Sequence, residues 1–349
     1  MPPPADLLVD LGIFTLKALV AVCACLFILA AIVRASRAGG PSPVRIQRLD
    51  RRWYFEAAMI ARSDPRRGEA RRLGALARAR ARRLAVGEGA PRVFMLRFDG
   101  GLDARGTGEL AAAINAILHV GTPRDEVVLR LKSPGGLVTA YGHAASQLAR
   151  VREAGLRLTV AVDEVAASGG YLMAAMADHI IAAPFAIVGS IGVVGQIPNV
   201  HRLLKRHDVD VELHTAGRFK RTLTVLGENT DEGRAKFRED IARTFERFKE
   251  AIARNRPRLD LARVATGETW YGSEALELGL VDAVETSDAY LLRRAEEAHV
   301  LAVAVVTPSG PLGRFGRALG GALGRHLGPR QVARSLAAEA RTSATPWLI

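Results

Sequence analysis

Cysteine is nearly absent from this chain: there are two among 349 residues, Cys23 and Cys25, and both lie in one apolar stretch near the start. Every residue after them therefore folds without a disulfide, a cysteine-built zinc site or a thiol nucleophile. Aromatic residues make up only 5% of the chain, which leaves few rings on which nucleic-acid bases can stack. No Gly-x-x-x-x-Gly-Lys-Ser/Thr segment occurs, so nothing here marks phosphate-loop ATP hydrolysis. The eight histidines have no accompanying motif, and neither a metal site nor an organic cofactor is indicated.

An apolar run from Leu11 to Val33 carries Lys17 as its only charge and is followed by Arg34 and Arg37. A bilayer span needs about 20 such residues. The residues before it are acidic or neutral, unlike the basic start of a cleavable signal peptide, so a retained transmembrane anchor is expected over 11–33, behind a short tail over 1–10. Lys17 lies near enough to one end to snorkel toward the interface. The arginines that follow the span place the C-terminal bulk in the cytoplasm by the positive-inside rule.

The net charge of +13 is concentrated rather than spread. Between Val44 and Leu84 thirteen arginines face four acidic residues, a local excess of +9. The Ala/Arg/Leu-rich part of this stretch is helix-prone. Its position after the span predicts a basic, largely helical juxtamembrane arm over 34–88 that lies on anionic lipid, each basic residue contributing about 1 kcal/mol near the surface. With few aromatics and no nucleic-acid module, nucleic-acid binding is not expected.

Gly87-Glu-Gly-Ala-Pro91 interrupts the arm, and a separate domain over 90–305 follows. Strands are predicted at 92–98, 126–131 and 156–163, with helices at 107–116, 140–154 and 231–255. Such alternation argues for an α/β domain with parallel strands. Residues 158–194 are apolar but interrupted by Asp163, Glu164, Asp178, His179 and Pro184, so they are not a second span. His179 is expected on or near the helix that follows Ser168. A Gly/Arg-rich tail occupies 306–349.

Ser168 stands in Val-Ala-Ala-Ser-Gly-Gly-Tyr, between a strand-like run and a helical one. A plain helix N-cap is one role for such a serine. The other is a nucleophile, which needs a base. Lys220, 52 positions later beside Phe219 and near Leu223, Val225 and Leu226, is the candidate if those apolar neighbours bury it and favour the neutral amine. The turn Ser133-Pro-Gly135-Gly136 and Gly169 supply backbone N–H groups for an oxyanion. Ser190 is either a turn serine or the residue that orients the lysine amine.

Five segments in order, Ser-Pro-Gly-Gly at 133–136, Ala-Ser-Gly-Gly-Tyr at 167–171, Gly-Ser-Ile-Gly-Val at 189–193, Arg-Phe-Lys-Arg-Thr-Leu-Thr at 218–224 and Glu-Ala-Leu-Glu-Leu-Gly-Leu-Val-Asp at 274–282, resemble the signal peptide peptidase A family of serine proteases, peptidase family S49. Gly-Glu-Asn-Thr at 227–230 and the N-terminal membrane segment are similar to its SohB-like branch. The resemblance implies a ClpP/crotonase-type fold of repeated β-β-α units behind one transmembrane helix. It implies Ser168 as nucleophile, Lys220 as general base and Gly135, Gly136 and Gly169 at the oxyanion. It further implies a ring-like homo-oligomer in which the serine of one subunit meets the lysine of its neighbour, and a periplasmic catalytic domain on the bacterial inner membrane, opposite to the side the flanking arginines indicate. Remnant signal peptides and misfolded membrane or envelope proteins are the expected substrates, cleaved without ATP. Phe219 stands where relatives commonly carry tyrosine. A crotonase-like acyl-CoA enzyme and a non-catalytic membrane scaffold of the same fold are the alternatives.

Overall fold

The computed structural model describes residues 44–63 and 89–305 throughout, with scattered positions in 14–22 and 68–79. The short N-terminal tail, the expected anchor over 11–33 as a span, much of the basic arm and the 306–349 tail lie outside the described residues. Among the described residues no helix is long and apolar enough to cross a membrane. Residues 44–305 form one compact unit.

Its centre is a seven-stranded sheet in the order β1-β10-β2-β3-β4-β6-β9. These strands are β1 (Val44–Arg48), β2 (Arg92–Asp99), β3 (Glu126–Lys132), β4 (Arg157–Val162), β6 (His179–Ala182), β9 (Ala283–Val284) and β10 (His299–Val305). All neighbours run parallel except β1, which pairs antiparallel with β10 from Val44↔Val305 to Arg48↔Leu301. A smaller sheet holds β5 (Val165–Ala167), β7 (Ile187–Gly189) and β8 (Thr269–Tyr271). Consecutive strands thus divide between layers: β4 and β6 join the large sheet, β5 and β7 the small one.

The central strands are predominantly apolar because both faces of the sheet are covered. Phe94, Leu96, Val127, Leu129, Leu158, Val160 and Ile180 face one core, which is closed by helices α2 (Thr107–Val120) and α3 (Val138–Glu153). The alternate residues Val93, Val128, Ala161 and Ile181 face a second core with Tyr290 and Leu291 of α9 (Ser287–Arg294), and with Leu49 and Trp53 of α1 (Leu49–Ser63). The period of two along each strand sorts the side chains, and each full burial of a large aliphatic contributes about 1.5–3 kcal/mol.

The arginine-rich stretch predicted to lie on lipid is therefore divided by the fold. Val44–Ser63 supplies an edge strand and a covering helix of the domain. Arg48 and Asp50 pair there, and Arg48 Nη2 also stands 2.8 Å from His299 Nδ1 at the start of β10. His179 opens β6 rather than lying on a helix, because the helix after Ser168, α4 (Gly169–Ala174), is only six residues long. Between them Asp178 accepts from Leu158 N–H (2.9 Å) and from Arg152 Nε (2.7 Å), pinning the turn that feeds the chain back into the sheet.

Two buried carboxylates are fully engaged, as burial requires. Glu126 accepts from Thr159 Oγ1 (2.6 Å), Tyr290 Oη (2.5 Å) and Arg294 Nε (2.8 Å), tying β3, β4 and α9 together. Asp125 accepts from Arg92 backbone N–H (2.8 Å), Arg92 Nη2 (2.6 Å), Thr122 N–H (2.8 Å) and Thr122 Oγ1 (2.9 Å), closing the α2–β3 turn onto β2. Burial opposes the Asp125 charge, but the bonds from Arg92 and Thr122 outweigh it and hold the carboxyl down to about 2.

Because that folded value lies below the unfolded one of about 3.9, the clasp stabilises the fold above pH 4 and is lost as pH falls through about 2. Asp125→Asn is expected to lower the unfolding free energy at neutral pH by about 1–2 kcal/mol, allowing for the solvent that reaches Arg92. Urea titrations at several pH values check this. The gap between the two proteins should shrink toward pH 2, and a gap independent of pH contradicts the assignment.

Candidate active site

Ser168 follows the last residue of β5 and precedes α4, and its backbone sits at φ 52°, ψ −120°. A non-glycine residue held there costs roughly 1–3 kcal/mol, a strain that persists only when its surroundings enforce it. Its side chain makes no capping hydrogen bond to α4, so the helix-cap role is not the one the fold uses. The backbone is held instead by Ser168 N–H donating to Gly189 O at 2.8 Å.

What enforces the conformation is the Ser133–Gly136 turn. Ser133 N–H donates to Val165 O (2.8 Å) and Ala167 N–H donates to Ser133 O (3.0 Å), a single parallel bridge that joins the end of β3 to β5. Gly135, at φ 92°, then passes so close that a Cβ on it would stand 2.7 Å from Ser168 Cβ and 2.8 Å from Gly169 N. Only glycine fits there, for both its positive φ and its proximity. Gly136 and Gly169 are equally confined, since an added Cβ would meet Leu102 O at 2.1 Å and the Tyr141 ring at 2.4 Å.

Behind the turn a hydrogen-bond chain runs from the buried Ser133 toward the surface at Gly101. Gly135 N–H donates to Ser133 Oγ (3.1 Å), Ser133 Oγ and Tyr141 Oη lie 2.5 Å apart, and Tyr141 Oη donates to Gly101 O (2.8 Å). With the phenol proton on Gly101, the serine hydroxyl donates to Tyr141. Burial raises the Tyr141 phenol above its ordinary value, which keeps that proton in place. Gly135 N–H is consequently committed, whereas Gly136 and Gly169 N–H have no partner among the described residues. Ser133 and Tyr141 were not marked as site residues by the sequence. Ser133 lay inside the flagged turn, but the Tyr141 contact depends on how α3 packs.

Ser190 occupies the matching place on the neighbouring strand. The parallel register pairs Ala167 with Gly189, so Ser168 and Ser190 are the next residues on adjacent strands. Ser190 is also strained, at φ 50°, and its N–H donates to Glu268 O at 2.6 Å. Ser168, Ser190, Gly136 and Gly169 all line one cleft of about 940 Å³, which also receives Tyr141, Leu172, Val193 and Phe248.

Lys220 is not among the residues lining that cleft. It is exposed, in a turn where its N–H donates to Gly217 O (3.0 Å). The burial expected from its apolar neighbours does not occur within one chain: Phe219 and Val225 are each 43% exposed and Leu226 47%. Phe219 instead packs beneath the cations of Arg218 and Lys236, at 5.0 and 5.8 Å. Lys220 belongs to an exposed excursion between β7 and α6 (Asp231–Asn255) that carries only the short α5 (His201–Arg206) as regular structure. Its two limbs are clipped where Asn199 Nδ2 donates to Thr224 O and Gly227 O, each at 2.9 Å, and where Val200 N–H donates to Val225 O (2.9 Å). The Gly-Glu-Asn-Thr segment has structural duties here. Asn229 accepts from Thr224 N–H (2.8 Å), and Thr230 caps α6 by accepting from Gly233 N–H (3.1 Å). No histidine lines the cleft.

The profile of peptidase family S49 matches residues 150–301, and that of the family's N-terminal region matches residues 6–148. The chain belongs to peptidase family S49. It is 54% identical over 225 residues to a "Probable protease SohB" of Haemophilus influenzae, covering 64% of either chain. It is 52% identical over 204 residues to the protein of that name in Buchnera aphidicola, covering 58% of this chain and 67% of the relative. "Protease 4" of Salmonella typhi is 32% identical over 175 residues, 49% of this chain and 28% of the relative. The matched region thus spans 64% of the Haemophilus influenzae relative's length.

Within this candidate site, Tyr141→Phe leaves the Ser133 hydroxyl and the Gly101 carbonyl without their buried partner. The expected loss is about 1–3 kcal/mol of unfolding free energy. Ser133→Ala combined with Tyr141→Phe should cost less than the two single changes added, because both act on one chain of bonds. Urea denaturation of the four proteins measures this, and strict additivity contradicts the coupling.

Proposed function

We propose that this protein is a membrane-anchored serine endopeptidase, ATP-independent, in which Ser168 is the nucleophile and Lys220 of a neighbouring copy is the general base. The observation that carries the reading is Ser168 itself: strained, uncapped, and opening onto a cleft beside two unengaged backbone N–H groups. Membership of family S49 and the names of the relatives support hydrolysis of peptide bonds as the reaction. The division of β4, β6 and β5, β7 between two layers supports a ClpP/crotonase-type arrangement.

In the reaction, Ser168 Oγ attacks the scissile carbonyl carbon while its proton passes to the neutral amine of Lys220. The carbonyl oxygen, now anionic, accepts from Gly136 N–H and Gly169 N–H. Gly135 serves by its close passage rather than as a donor, since Ser133 holds its N–H. Collapse of the tetrahedral species breaks the C–N bond, and the leaving amine takes the proton from Lys220. A water then gives its proton to Lys220 and attacks the acyl carbon, and the acid product departs as the proton returns to Ser168 Oγ. The amine must be neutral to begin, a form that enclosure of Lys220 in a neighbour's cleft, away from water and beside its cations, would favour. Ser190, one strand from Ser168, is placed in this reading to hold the incoming amine.

The exposed excursion around Lys220, with Leu203, Val209, Val211 and Leu213 each at least 38% exposed, supports completion of the site by a second copy in a ring-like oligomer. The apolar stretch 11–33 and the arginines after it support a single-pass anchor in a bacterial plasma membrane with anionic lipid beside it. Remnant signal peptides and misfolded membrane or envelope proteins are the substrates such a position offers.

Ser168→Ala and Lys220→Ala should each lower kcat/KM for a peptide substrate by at least about a thousandfold. Co-assembled in equal amounts, the two inactive proteins should recover about a quarter of wild-type activity, because a quarter of the shared sites then pair an intact serine with an intact lysine. Peptide cleavage by the separate and mixed proteins checks both points. Full activity in either single variant contradicts the dyad, and no recovery on mixing contradicts its division between subunits.

A further inference from the structure

The cleft beside Ser168 has one wall of a different character from the rest. Arg243, Thr244, Arg247, Phe248 and Ala251 of α6 all line it, at a spacing that places them on one face of the helix. The other lining residues are small, apolar or hydroxyl-bearing, and none of the residues lining the cleft is acidic. The two guanidinium groups are thus the charged groups of its lining.

Neither cation is fully engaged. Arg243 Nη2 donates to Asp240 Oδ1 (2.6 Å), but that carboxylate oxygen is shared with Lys236 Nζ at 3.1 Å. Arg247 has its ion-pair partner Glu250 at 3.7 Å, beyond hydrogen-bond reach, and donates no hydrogen bond among the described residues. Both side chains are mostly exposed, at 65% and 78%, and remain free to turn toward a bound chain. A guanidinium with open donors in a cleft without acids is matched by a carboxylate, which it can hold with two parallel bonds.

We propose that Arg247, together with Arg243, reads a carboxylate on the bound peptide and so sets a preference for substrates that carry negative charge close to the scissile bond. This rests on the peptidase reading of Ser168. The carboxylate has two sources, an acidic side chain or the free C-terminus of a short peptide, and both present the same group to the same wall.

The test compares kcat/KM on the full-length oligomer for matched peptides: an amidated one with Gln scanned through the positions flanking the scissile bond, the same with Glu, and the Gln peptide as its free acid. Wild type is expected to favour a carboxylate by about three- to tenfold, a range suited to a solvent-reachable charged pair. A gain from Glu at one position identifies a side-chain reader, and a gain confined to the free acid identifies the C-terminus. In Arg243→Gln/Arg247→Gln that ratio should fall to one, and in Arg247→Glu it should invert in favour of Lys at the same position. Equal rates for all wild-type peptides, or a preference that survives in the double variant, overturns the inference alone. A wild-type protein that cleaves none of them overturns the peptidase reading and the inference with it.

Discussion

One short bridge organises this molecule. Ser133 exchanges two backbone hydrogen bonds with β5, at 2.8 and 3.0 Å, and so binds the end of the large sheet to the small one. That bridge draws the Gly135 backbone against Ser168, where an added Cβ would lie 2.7 Å from the serine Cβ. The strained Ser168 conformation and the positions of the Gly136 and Gly169 N–H groups all follow from this approach. The cost of the strain is met by the two packed cores on either face of the large sheet.

The same constraint explains why the site is rigid on one side and open on the other. Behind the turn, the buried Ser133 and Tyr141 hydroxyls form a hydrogen-bond chain that ends on the Gly101 carbonyl nearer the surface, and Ser190 is held one strand from Ser168 by the β5–β7 register. In front, the chain leaves β7 for a long exposed excursion and returns only at α6. The proposed nucleophile is therefore held in place within one chain, whereas the proposed base stands on an exposed part of the fold. In the proposed reaction such a division would couple chemistry to assembly, because the surface that leaves apolar side chains exposed also carries Lys220.

Much of the scaffold was legible because it rests on local signals. The apolar runs of β2, β3 and β4 and the periodicity of α6 were read within a residue or two, α6 being fixed at its start by the Thr230 cap. The Ser-Pro-Gly-Gly turn was legible as a motif, although its main service, the close passage of Gly135, was not. Long-range partners escaped the reading. Val44–Arg48 looked like arm because its arginines dominate, yet as an edge strand with one pairing partner it tolerates them. His179 was placed on or near the helix after Ser168 because nothing local announces that α4 stops after six residues. Tyr141, Arg243 and Arg247 carry no motif, since their place in the cleft is set by helix packing alone. Lys220 was singled out by its motif, but the exposure of Phe219, Val225 and Leu226 around it was not legible, because it depends on how the excursion between β7 and α6 is laid out.

The central claim is that a preorganised Ser168 becomes reactive only when a second copy completes its site. Covalent labelling by a fluorophosphonate, mapped by mass spectrometry on the full-length protein before and after dissociation to monomer, tests it most directly. Labelling confined to Ser168 and present in the assembled protein but lost in the monomer is the predicted result. Equal labelling of Ser168 in both states, or labelling at another serine, would contradict the account.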